Sequence, residues 1–167
     1  MSVTQTDREN TAASKPNKGG LEGIVAATTS ISKVEGTAGR LIYRGYNIHD
    51  LARNATFEEI IHLLWFDKLP NATELAQLQS KLAAQRSIPE PVMATIRLQP
   101  KTSDPMDVLR TAVSAWGALS VSGTPTLDQA IALTARFPVF LAAFQRLRNG
   151  KEPLESRPEL GHAANYL

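Results

Sequence analysis

Three histidines, His49, His62 and His162, are the side chains of this sequence whose ordinary titration lies nearest neutral pH. No two of them stand at metal-ligand spacing, and the H-E-x-x-H pattern is absent. His49 precedes Asp50, which suggests a base and its orienter. Adjacent residues on a helix point about 100° apart, so the pair does not converge. His49 therefore reads as a surface or capping residue. His62, among Ile61, Leu63 and Leu64, reads as a hydrogen-bonded packing histidine. His162 lies near the last residue and takes no role from the sequence. There is no cysteine, which excludes disulfides, thiolate catalysis and thiolate metal sites.

Carboxylates and glycines offer no more. Glu58 and Glu59 are consecutive and do not face each other, so they read as a solvated helix face and a capping group. Gly36-Thr37-Ala38-Gly39-Arg40 lacks the G-x-x-x-x-G-K-[ST] pattern and its strand-then-helix setting. No G-x-S-x-G elbow presents a nucleophilic serine. Arg44, flanked by Tyr43 and close to Tyr46, is the most interesting charged residue. Anion binding is open to it, but a carboxylate partner or packing over a tyrosine is the expectation. The residues thus nominate no catalytic, cofactor-binding or metal-binding side chain.

The elements that would position such residues are mostly helices. The 167 residues, 43% hydrophobic and without strong bias, suit one globular domain. A net charge of +2 leaves no footprint for nucleic acid or an anionic membrane. No uninterrupted apolar run approaches the roughly 18 residues of a membrane helix. Residues 1–20 lack an apolar signal-peptide core. Their one Arg, two Lys, one Asp and one Glu make a poor transit peptide, so a disordered tail and a cytoplasmic protein are expected.

Residues 23–32 are small and β-compatible, and with 41–43 they predict a hairpin across a turn at 34–40. Everything after Asn47, a good N-cap, reads as helix. Thr56 with Glu59 is a capping box. Behind it Phe57, Ile60, Ile61, Leu64 and Trp65 mark a buried face. Asn71 caps the next helix, with Glu74 at its third position and Leu75, Leu78 and Leu82 on one stripe. A short helix near Glu90 carries Val92, Met93 and Ile96. Ser103 or Asp104 caps a helix over 105–120 whose apolar face holds Leu109, Ala112, Val113 and Trp116. Its alanines 112, 115 and 118 keep one surface small for a neighbouring helix. Gly123-Thr124-Pro125 is read as a stop, a cap and a first helical residue. The helix over 125–149 is too apolar for a narrow stripe and should be largely buried, with Pro138 in its middle.

Residues 36–52, GTAGRLIYRGYNIHDLA, carry a resemblance. Y-R-G-Y followed by I-x-D-L-A resembles the amino-terminal signature of citrate synthases. Residues 20–26 upstream (GLEGIVA) and 106–114 downstream (MDVLRTAVS) are similar to that family in the same order. The resemblance implies an all-α fold: the amino-terminal portion of the citrate-synthase large domain over 21–167, with a small β-hairpin near its start. It implies the condensation of acetyl-CoA with oxaloacetate to citrate and CoA. In the family an aspartate removes the methyl proton, one histidine stabilises the enol and another polarises the ketone. The H-G-G-A-N-like and G-H-R-V-Y-like motifs that hold those groups do not occur in residues 1–167, so the chain alone is expected to be inactive and to bind no cofactor. Some eukaryotic members place a CoA-contacting arginine near the position of Glu22; here the residue is acidic and the role is not carried over. Homodimerisation, or association with full-length subunits, is implied through the helices resembling 105–120 and 125–149. Two alternatives stay open: a 2-methylcitrate synthase using propionyl-CoA, and a non-catalytic subunit that binds a citrate synthase.

Overall fold

The computed structural model describes residues 27–120 and 123–167, so the expected tail over 1–20 lies outside the described residues. From Ile31 onward the chain forms one packing unit. It begins with a three-stranded antiparallel sheet in the order β1 (Ser32–Glu35), β2 (Arg40–Tyr43), β3 (Tyr46–Asn47). Seven helices follow among the described residues: α1 (Ile48–Asn54), α2 (Phe57–Phe66), α3 (Ala72–Ala84), α4 (Glu90–Arg97), α5 (Pro105–Ser120), α6 (Leu127–Arg148) and α7 (His162–Tyr166). The all-α class with a small amino-terminal hairpin is what the sequence led us to expect.

The hairpin differs in its register. Its first strand is 32–35, not 23–32, of which residues 23–26 lie outside the described residues. A 3-10 turn at Gly36–Ala38 closes on Gly39, left-handed at φ 61°, and pairs Glu35 with Arg40. That tight turn pins the strands beside it, so Val34 and Glu35 belong to the ladder. A second hairpin, which the sequence pattern does not predict, follows directly. Tyr43 pairs with Tyr46 across Arg44 and Gly45, whose φ values of 45° and 89° are the positive pair a two-residue hairpin turn requires.

Capping residues set most helix starts. Asn47 Oδ1 accepts the His49 N–H at 2.9 Å. Thr56–Glu59 and Asn71–Glu74 both close reciprocal capping boxes. The Glu59 carboxyl sits below its ordinary range because it accepts from the Thr56 backbone and hydroxyl. Asp104 Oδ1 takes the Met106 N–H at 2.7 Å. At α6 the cap is Thr126, boxed with Gln129, rather than Thr124. Only the later threonine has a glutamine three residues on, and that second bond decides the start.

Two apolar clusters share α6. One joins Val92 and Ile96 of α4, Val108, Leu109, Ala112 and Trp116 of α5, and Ala132, Phe140 and Phe144 of α6. The other joins Ile61 of α2, Leu78 and Leu82 of α3, and Ile131 and Ala135 of α6, with Trp65 against it. At 22 residues α6 is long and apolar enough to cross a membrane by length and composition. Here it forms the shared wall of both clusters, with Arg136 near its middle. Of its expected core residues, Phe137 stays 37% exposed. Ala112 and Ala115 pack into the first cluster of the same chain, whereas Ala118 is exposed. The buried face of α2 also turns from expectation. Phe57 is 50% exposed, and Glu58, Ile61 and His62 go inside. A carboxylate replaces the expected phenylalanine because it has a partner on α7.

Candidate functional site

Buried charge is concentrated where α2, the end of α3 and the segment before α7 meet. Glu58, expected on a solvated face, is 6% exposed, and its Oε1 accepts the backbone N–H of His162 at 2.7 Å. Arg86, just past α3, is 3% exposed and donates one Nη1 to two carbonyls, Leu160 at 2.9 Å and Arg157 at 3.2 Å. His162 is buried as well, its ring stacked on Phe57 with centroids 5.0 Å apart. Its Nδ1 has no hydrogen-bond partner among the described residues. Burial pulls the imidazole below its ordinary value, Arg86 lowers it further, and Glu58 partly opposes them. Burial also lowers the Arg86 guanidinium, against the pull of Glu58.

The direction of these bonds decides what the cluster can do. The carboxylate accepts the backbone N–H of His162 and makes no hydrogen bond to its imidazole, so the two form no acid–base dyad. Both charged residues hold the chain from Arg157 to His162 against the helical body.

A second buried cation stands beside it. Arg136 of α6 donates Nε to Ser87 O at 3.0 Å and Nη2 to Gln85 Oε1 at 3.2 Å, and its guanidinium lies 5.4 Å from the Trp116 ring centroid. Burial lowers its pKa. Arg136 therefore holds the connection 85–87, from which Arg86 in turn holds residues 157–160, and the sequence singled out neither arginine.

The residues weighed in the sequence fall elsewhere. Arg44 takes the carboxylate alternative: Nη2 pairs with Asp67 Oδ1 at 2.6 Å and donates to Leu64 O at 3.1 Å, which ties the β2–β3 turn to the end of α2. His49 is exposed. His62 is buried, with Nδ1 2.9 Å from Lys68 O and its ring tilted against Phe66. The structure does not bring the three histidines together. Among the described residues no group of three or more His, Cys, Asp or Glu is placed to hold a metal ion.

This helical order belongs to a known architecture. The profile of the family described as citrate synthase, C-terminal domain, matches residues 20–167. The chain belongs to the citrate synthase family. The citrate synthase of Haloferax volcanii is 40% identical over 159 residues, covering 90% of this chain and 42% of that protein. Citrate synthase 2 of Bacillus subtilis is 42% identical over 155 residues, covering 89% and 41%. The 2-methylcitrate synthase 1 of Corynebacterium glutamicum is 38% identical over 153 residues, covering 89% and 40%. The crystal structure of Thermotoga maritima citrate synthase superposes with a TM-score of 0.79 at 34% identity, over 89% of this chain and 39% of that one. The chain spans about two fifths of the length of these citrate synthase relatives.

The buried cluster in this citrate synthase family chain has a consequence for stability against pH. His162 has a folded pKa below the ordinary 6.5, so the unfolded chain binds more protons just below that value. The stability held by a neutral His162 is complete above about pH 6.5 and is lost as pH falls through the folded value. Urea unfolding followed between pH 7.5 and 5.5 should show stability falling with acid, and His162→Phe should flatten that fall by less than one proton's slope. Equal slopes in both proteins would show that His162 titrates alike folded and unfolded.

Proposed function

We propose that this chain is the amino-terminal helical scaffold of a citrate synthase, the enzyme condensing acetyl-CoA with oxaloacetate to citrate and CoA. The match of residues 20–167 to the family, at about two fifths of its relatives' length, carries this reading. In it, residues 1–167 supply structure, and the proton-abstracting aspartate and the two histidines lie outside them. The buried arginines and glutamate fit such a role, because each is bonded to backbone or amide groups of this chain. Association with a second subunit is part of the proposal. Ala112 and Ala115 are used within the chain, so the surface left for a partner is Ala118 and Leu119 at the end of α5 with Leu127 and Phe137 on α6.

The 38% identity to a 2-methylcitrate synthase favours a second reading, with propionyl-CoA as the acyl donor. One assay addresses both. The purified chain should release no oxaloacetate-dependent thiol from either acyl-CoA, since acid, base and oxyanion donors are missing together. Co-expressed with the remaining length of the Haloferax volcanii relative, it should support release from acetyl-CoA. Turnover by the chain alone that survives repurification would sink the scaffold reading.

A further inference from the structure

The carboxy-terminal ends of α4 and α6 face each other across a cleft of about 160 Å3. Three cations line it from three segments: Arg97 from α4, Lys101 from the following connection and Arg148 from the last turn of α6. Gln99 adds an amide, and Phe144 and Leu147 make an apolar floor. Arg148 is held in place, with its guanidinium 5.5 Å from the Phe144 ring centroid.

The charge here is out of proportion to the chain. Residues 90–101 and 144–152 hold Arg97, Lys101, Arg146, Arg148 and Lys151 against Glu90 and Glu152, a net charge of +3. The whole chain carries only +2, so everything else sums to −1. One of the two carboxylates is committed: Glu152 receives both Arg97 Nη atoms, at 2.7 and 3.3 Å. It is exposed, and an anion entering the cleft can compete for that guanidinium.

We infer that this cleft binds a small phosphate monoester. Three cations in one cleft suit a phosphate monoester, with three terminal oxygens to accept from them, better than a carboxylate with two. At neutral pH the phosphate carries nearly two negative charges. The cleft is small, which suits a phosphate carrying a small apolar group. This inference is independent of the catalytic reading, since it uses none of the family's reaction.

The test is a titration of the full 167-residue chain with phenyl phosphate at constant ionic strength, followed by 31P NMR. Saturable binding in the millimolar range or tighter is expected, weakened about tenfold by Lys101→Gln or Arg148→Gln and unchanged by Lys33→Gln on β1. Lys101 is exposed, so its replacement leaves the fold intact, and helical CD checks this for both cleft variants. Benzoate should bind more weakly than phenyl phosphate. Binding that does not saturate, that is unchanged in both cleft variants, or that is as tight for benzoate would overturn the inference.

Discussion

Phe140→Ala should remove a large share of the stability of the chain. Phe140 is fully buried in the cluster that α4, α5 and α6 build together, beside Val92, Val108 and Trp116. It lies two residues beyond Pro138, whose ring nitrogen has no hydrogen to give the carbonyl four residues back. The helix is therefore short of a backbone bond at this level, and packing must hold it there. Truncating a buried phenylalanine costs about 3–5 kcal/mol, from lost transfer energy and the cavity left behind. Whole domains are stable by roughly 5–15 kcal/mol, so one substitution takes a large share. Phe137→Ala is the control. Phe137 is on the same helix and 37% exposed, and its loss should cost less, about 1–2 kcal/mol. Urea unfolding by far-UV CD compares them. Similar midpoints for the two variants would show that α6 is not held by this cluster.

Local signals were legible in the sequence, and distant pairings were not. Asn47, Thr56 with Glu59, and Asn71 with Glu74 cap their helices because both partners lie within one turn. Thr126 with Gln129 carried the same signal, but Pro125 after Thr124 offered a competing start, and the two-bond box prevailed over the proline. Arg44 was readable only to the extent of expecting a carboxylate; its left-handed backbone was not, because a single Gly45 did not announce a two-residue turn. The buried polar cluster gave no signal. Glu58 meets His162 across 104 residues, and Arg86 meets Leu160 across 74. Periodicity assigns a glutamate to the solvent side unless its partner is known, and nothing near Glu58 in sequence names that partner. The same gap hid Arg136, whose acceptors lie on a connection about 50 residues earlier.

That long-range cluster makes Arg86 the second position of large effect. Its Nη1 is the donor for the carbonyls of Arg157 and Leu160, and its charge stands near the Glu58 carboxylate. Arg86→Met keeps much of the apolar stem and removes the cation. Two carbonyls then lose their donor, and the buried Glu58 carboxylate loses a positive charge near it. Breaking a buried charged contact from one side costs about 3 kcal/mol, since the group left behind stays desolvated. The cost should fall first on residues 157–166, which these bonds hold, rather than on the two apolar clusters. Hydrogen exchange reads this residue by residue. The His162 amide, protected by Glu58, should exchange on the order of a hundredfold faster in the variant. Amides of α5 should change only as much as global stability does. Arg86→Lys should recover part of the protection, because an ammonium restores the charge but not the planar fork. If the His162 amide kept its protection in Arg86→Met, Glu58 and the Phe57 stack would be sufficient to hold the segment, and the guanidinium would be balancing the glutamate's charge without fastening the chain.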